Sequence, residues 1–232
     1  MKQRHVVALG GGGFSESPKN LALDEYIVSL SSKSKPRVCF LPTASGDSQL
    51  YIKRFYRAYE RLGARASHLS LFQPTPQPAS KVLAAQDIIY VGGGNTRNML
   101  VLWKEWGVDK LLRQAHARGT ILAGISAGAI CWFEQGLTDS NPGAYTPLNA
   151  LGWLEGSFCP HFDSEPRRRP VFRTLIRRGK LAAGYAVDDG VALHFIDDAL
   201  KNVVSSRPRA GARFLERAYG RLRERTLTPT RL

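Results

Sequence analysis

Acidic residues are scarce in this 232-residue chain: 19 Asp and Glu stand against 33 Lys and Arg, a formal net charge of +14. Cysteine is scarcer still, with Cys39, Cys131 and Cys159 alone. Three thiols in apolar or strand-like surroundings, with no CxxC pair and no even count, argue against a disulfide framework and for a reducing, cytoplasmic setting. Long hydrophobic runs are missing too. The opening MKQRHVVALGGGG has a basic start but too few apolar residues for a signal peptide, and no run of about 18 apolar residues offers a membrane span. No Gly/Ser or Pro-rich linker divides the chain; the Pro-spaced stretch from Pro74 to Pro78 reads as a surface loop. A single α/β domain is therefore expected over residues 1–220, followed by a basic, flexible tail over 221–232.

The basic excess raises nucleic acid as a partner, because clustered Lys and Arg bind phosphate by releasing counterions. Here the arginines are mostly dispersed. The densest groups are Arg167 to Arg169, Arg173 with Arg177 and Arg178, and the stretch from Arg207 to Arg231. A solvated basic surface accounts for them, and nucleic acid is not the expected partner.

What is present is an alternation of short apolar runs with amphipathic stretches, the pattern of a mostly parallel sheet flanked by helices. Strands are predicted at residues 5–9, 37–41, 68–71, 87–91, 121–125, 181–187 and 191–195, with a hairpin of the last two across Asp188 to Gly190 as a further expectation. Helices are predicted at residues 21–31, 51–62, 99–106 and 108–118, and from Ser126 to about Glu134. Reacting groups of open α/β sheets gather beyond the carboxyl ends of the strands. The loops to inspect are therefore residues 10–15, 42–47, 92–96 and the surroundings of Ser126.

Residues 124–128, GISAG, fit G-x-S-x-G between a strand and a helix, the context of a nucleophile elbow. The bland alternative is a buried serine in a packing turn. In the elbow reading the glycines permit the tight turn, and the Ala127 N–H is free to face an oxyanion. The GGGN turn at residues 92–95 can supply a second donor. It lacks both the G-x-G-x-x-G spacing and the Lys-Ser/Thr of a phosphate loop.

Among five histidines, His5, His68 and His194 fall in strands and His116 on a helix, where structural roles suit them. His161 lies in the loop SFCPHFDS after a proline, and is the candidate base. Two carboxylates between serine and histidine could orient it: Asp139 in GLTDSNPG, and Glu134 near the end of the elbow helix. Spacing leaves both open.

The motifs at residues 91–96 (VGGGNT), 124–129 (GISAGA) and 160–162 (PHF) resemble, in order and spacing, the peptidase E family of serine peptidases, which includes the cyanophycinases. The match spans roughly residues 5–206. The resemblance implies a fold like the class I glutamine amidotransferases, with serine where those enzymes carry cysteine, and hydrolysis of small peptides without metal or cofactor. The best-known activity is removal of an N-terminal aspartate from dipeptides. Carried over, Ser126 is the nucleophile, His161 the base, and Gly94 and Ala127 the oxyanion donors. Asp139 holds the place of the third member, with Glu134 kept as the alternative. Asn95 and Thr96 of the turn, and Arg167 after the histidine, match residues that hold the substrate carboxylate. The GGGGF opening and CWFE after the elbow depart from the aspartyl-dipeptidase form, which bears on strict aspartate specificity and not on the serine-hydrolase reading. A homodimer is compatible with the resemblance. A regulatory, ligand-binding member with a dormant site is the alternative function; an amidotransferase-like hydrolase is disfavoured by serine at the elbow, although Cys131 follows five residues on.

Overall fold

Apolar side chains alternate along the short strands, and that alternation builds a core on each face of one sheet. The computed structural model describes residues 3–73 and 76–232; Met1, Lys2 and the first two residues of the Pro74 to Pro78 loop lie outside. The chain runs β1 (His5–Leu9), α1 (Gly13–Glu16), α2 (Ala22–Ser29), β2 (Arg37–Leu41), α3 (Gln49–Arg61), β3 (Arg65–His68), α4 (Ala79–Ala84) and β4 (Ile88–Val91). Then come α5 (Thr96–Trp106), α6 (Val108–Ala117), β5 (Ile121–Ile125), α7 (Ala127–Ile130), β6 (Phe133–Asn141), β7 (Ala144–Asn149) and β8 (Leu154–Cys159). It closes with α8 (Arg168–Arg177), β9 (Gly184–Val187), β10 (Val191–Ile196), β11 (Ala199–Ser205), β12 (Ala212–Ala218), β13 (Arg221–Leu227) and β14 (Thr230–Arg231).

Eight strands form the central sheet in the order β14-β11-β10-β1-β5-β4-β2-β3. From β1 to β3 neighbouring strands are parallel; β10 joins β1 antiparallel. Val7, Leu9, Val38, Phe40, Ile88 and Tyr90 point to one face, where Ile52, Phe55 and Tyr59 of α3 cover them. Val6, Ala8, Cys39, Leu41, Ile89 and Val91 point to the other, against Met99 and Trp103 of α5 and Leu112 of α6. Crossover helices on both faces are what parallel strands require. No helix among the described residues is long and apolar enough to cross a membrane.

A second sheet, β13-β12-β9-β8-β6-β7, packs Phe133, Phe158, Val187 and Ala212 into the same core as α5 and α6. Its other face carries Leu137, Cys159, Ala186 and Leu215 against Phe172 and Ile176 of α8.

This second sheet accounts for the main departures from the sequence reading. β9 pairs with β8 and β12 while β10 pairs with β1 and β11, so residues 188–190 are a crossing between sheets and not a hairpin. The elbow helix stops at Ile130 because Phe133 onward is drawn into β6. The tail is ordered: every residue of β13 pairs with β12, and β14 joins the edge of the first sheet. β3 ends at His68, whereas the sequence predicts a strand over 68–71; the apolar Leu69 and Leu71 are buried in the core from the loop.

Candidate active site

β5 is buried at every position and ends at Ser126, which adopts φ 54° and ψ −113° before α7 begins at Ala127. A side chain rarely occupies that region, and the strain projects Ser126 off the end of the strand. The flanking glycines are required by contact. A Cβ on Gly124 would stand 2.0 Å from the Gly128 carbonyl oxygen, and one on Gly128 would stand 2.2 Å from that of Val91. Gly124→Ala is accordingly expected to destabilise the fold by about 3 kcal/mol or to prevent folding. A thermal melt of this variant checks it, and an unchanged midpoint would contradict the packing described.

Two backbone donors of the adjoining turns are unclaimed. The N–H groups of Ala127 and Gly94 have no hydrogen-bond partner among the described residues. The GGGN turn passes close over the side chain: a Cβ on Gly93 would lie 3.3 Å from Ser126 Cβ and 3.8 Å from Oγ. The turn is fixed from several sides. The Gly93 N–H donates to Tyr51 Oη at 3.3 Å, and the Asn95 N–H to the Ala44 carbonyl at 2.7 Å. Asn95 caps α5 by accepting from the Asn98 N–H at 2.9 Å, and its amide donates to the Ser140 carbonyl at 3.3 Å. Thr96 is buried, its hydroxyl 3.3 Å from that of Thr138.

Serine and histidine are brought together by adjacent carbonyls at the end of β1. The Ser126 N–H donates to the Leu9 oxygen at 3.2 Å and the His161 N–H to the Gly10 oxygen at 3.0 Å. His161 itself has φ 51°. Its Nδ1 lies 2.7 Å from Asp189 Oδ1, in the crossing between β9 and β10. That crossing is fastened in turn. The Asp189 N–H donates to Asp163 Oδ1 at 2.9 Å, and the Gly190 N–H to the Gly11 carbonyl at 3.0 Å. Burial acts to lower the His161 pKa, but the Asp189 hydrogen bond and the charges of Glu16 and Asp189 outweigh it and hold it above the ordinary value. Burial likewise acts to raise Asp189, and the bond to His161 outweighs it, leaving Asp189 below the ordinary carboxylate value.

The carboxylates suggested by spacing are elsewhere engaged. Glu134 lies on β6 and accepts from the Gly156 N–H at 2.9 Å, across to β8. Asp139, also on β6, is an exposed partner of Arg168, 3.8 Å from its guanidinium. The drawing of this segment into the second sheet gives both of them these other partners. Asp189 follows His161 in chain order, outside the interval between serine and histidine to which spacing points. The signal for it is a pair of carboxylates, Asp188 and Asp189, at the end of a strand. Arg167 is exposed at the start of α8, its guanidinium 5.6 Å from the Tyr145 ring, and it donates to the Gly143 carbonyl at 3.5 Å. The buried arginine of this segment is Arg168, bonded to Glu165 at 2.8 Å and to the Leu137 carbonyl at 2.9 Å.

Glu16, at the end of α1, is a further residue that spacing does not single out. Its Oε1 lies 3.9 Å from His161 Nε2, while its Oε2 accepts from the Gly12 N–H at 2.7 Å. Glu16, His161 and Asp189 form a trio whose ligand atoms lie within 4.8 Å of one another, the one group of metal-ligating side chains this close among the described residues. Within it, Asp189 occupies Nδ1 as a hydrogen-bond partner, so the histidine has a carboxylate on each nitrogen. Cys131 is fully buried with its thiol pushed far up by burial, donating to the Gly128 carbonyl at 3.1 Å; it is inert as a nucleophile.

A serine on a strained turn between strand and helix, set in a class I glutamine amidotransferase-like fold, is the arrangement of a nucleophile elbow. The family model of Peptidase family S51 matches residues 6–203. The chain belongs to this family and is a serine-type peptidase, as the resemblance to peptidase E implies. Among curated proteins it is 58% identical over 212 residues to YgaJ, an uncharacterized peptidase of Bacillus subtilis strain 168, covering 91% of each chain. Two solved structures share the fold. A peptidase from an acI-B1 Actinobacterium superposes with a TM-score of 0.73 at 19% identity, over 97% of this chain and 94% of that one. A candidate peptidase E protein from Listeria monocytogenes EGD-e gives 0.65 at 22% identity, over 86% of this chain and 97% of that one.

Proposed function

We propose that this peptidase hydrolyses small peptides through Ser126, His161 and Asp189, and that dipeptides with an N-terminal aspartate are among its substrates. The observation that carries the reading is the 2.7 Å contact of Asp189 with His161 Nδ1, which leaves Nε2 as the nitrogen available for proton transfer. His161 Nε2 takes the hydroxyl proton as Ser126 Oγ attacks the scissile carbonyl. Negative charge gathers on the carbonyl oxygen, met by the Gly94 and Ala127 N–H groups. The imidazolium, stabilised by Asp189, then protonates the departing amine. Water repeats the sequence on the acyl-enzyme and frees Ser126.

Substrate selection is assigned to the rim. Asn95 and Thr96 shape the turn beside the serine, and Arg167 has no carboxylate partner among the described residues. Its planar fork can take a side-chain carboxylate bidentately, which favours aspartate over asparagine. The test is a panel of dipeptides varied at the first residue, run alongside fluorophosphonate labelling mapped by peptide mass. Aspartyl dipeptides should lead the panel and the label should fall on Ser126. An unlabelled protein that cleaves nothing would support the dormant, ligand-binding alternative instead.

A further inference from the structure

The chain as a whole is strongly basic, yet the surroundings of His161 are acidic. Glu16, Asp163, Glu165 and Asp189 stand around it. Three of them are matched: Asp163 with Arg207 at 3.1 Å, Glu165 with Arg168 at 2.8 Å, and Asp189 with His161 itself. Glu16 has no Lys or Arg partner among the described residues, and its side chain is 41% exposed.

The position of Glu16 is fixed by the loop that carries it. Gly12 at φ 91° and Gly13 at φ 55° turn the chain so that the Gly12 N–H can hold Oε2. The Phe14 N–H is held from beneath by buried Asp24 at 2.8 Å. Ser15 donates to Tyr51 Oη at 2.8 Å, the same oxygen that receives the Gly93 N–H at 3.3 Å. One segment thus ties Glu16 to the histidine and to the oxyanion turn together. One carboxylate oxygen is structural; the other is open, 3.9 Å from His161 Nε2.

We propose that Glu16 is the subsite for the free α-ammonium group of the substrate's first residue, and that it restricts this peptidase to cleavage after that residue. The inference rests on the serine-peptidase reading of Ser126 and His161. In that reading, Nε2 stands beside both the nucleophile and the scissile nitrogen. The α-nitrogen of the residue under attack is only two bonds from the carbonyl carbon, so it falls within reach of a carboxylate about 4 Å from Nε2. A charge-assisted hydrogen bond there holds the amino terminus and places the first carbonyl over Ser126. A residue in the interior of a peptide offers a neutral amide at the same place and would leave Glu16 desolvated without a counter-charge.

The experiment compares the best dipeptide of the panel with its N-acetyl form, using wild type and Glu16→Gln. Glutamine keeps an acceptor for the Gly12 N–H and removes the charge; circular dichroism melts verify that the variant folds. Wild type should favour the free amine by about 10²-fold in kcat/KM, and Glu16→Gln should lose most of that preference, chiefly through KM. The assignment is overturned if wild type cleaves both forms equally, or if Glu16→Gln slows both by one common factor, the mark of a residue that only positions His161. Those outcomes would leave a fluorophosphonate-reactive Ser126 in place. Absence of both label and turnover would instead bring down the underlying reading of the site and Glu16 with it.

Discussion

Replacing Ser126 with alanine should reduce kcat on the best dipeptide by at least about 10³-fold while leaving the melting midpoint within a few degrees of wild type. The reason lies in what remains. The variant keeps the Gly94 and Ala127 N–H groups, His161 and the rim, so peptide still binds and its carbonyl is still polarised. It lacks the atom that forms the covalent bond, and water must attack without an acyl-enzyme to divide the barrier. The KM should change little. Stability should hold or rise slightly, because alanine at φ 54° bears the same backbone strain as serine and loses only a hydroxyl. Steady-state kinetics with an active-site titration of the wild type decide the matter. Turnover by Ser126→Ala within tenfold of wild type would remove the serine from the chemistry.

Asp189→Asn should cost about 10³ to 10⁴-fold in kcat with the fold intact, whereas Asp139→Asn and Glu134→Gln should each cost less than tenfold. An asparagine at 189 can present its amide hydrogens to Nδ1 and so stabilise the wrong tautomer, and it cannot offset the charge of the imidazolium. The pH profile separates this role from simple support. Only neutral imidazole accepts the serine proton, so kcat/KM rises as the pH climbs through the pKa of His161. Burial lowers that pKa, but the Asp189 bond and the neighbouring charges hold it above the ordinary histidine value. In Asp189→Asn the residual activity should therefore rise at a lower pH than in wild type. A limb that stays in place, or moves upward, would argue that another group sets the protonation of His161.

The local parts of this molecule were legible in the sequence. β1, β2 and β5 could be read from short apolar runs, because burial on both faces demands them. The G-x-S-x-G turn announced itself through glycines that contact makes obligatory, and His161 through its loop. What escaped was long-range. Residues 133–141, FEQGLTDSN, hold only two large apolar side chains, Phe133 and Leu137, and it is pairing with β7 and β8 that makes them a strand rather than a continuation of the elbow helix. The same pairing turns Glu134 and Asp139 toward other partners. β13 reads as a charged tail, since RLRERTL has few apolar residues, and becomes a strand because Arg213 and Arg173 bind Glu224 and because β12 offers an edge. Asp189 escaped for a related reason. Its place beside His161 is set by a crossing between two sheets, one of which has no clear signature in the sequence. Glu16 sits on a single helical turn, too short for any periodicity to mark.

The neighbouring carbonyls of Leu9 and Gly10 have a consequence for when this protein can act. They join the first strand to a serine in the middle of the chain and a histidine well beyond it, and Gly11 reaches further still, to Gly190. Contacts of such sequence separation close late in folding, after the cost of the intervening loops has been met. A chain still being synthesised has its first strand and even its serine, but no pair of carbonyls yet holding base to nucleophile. In the proposed mechanism, hydrolytic competence should therefore come only with the finished topology.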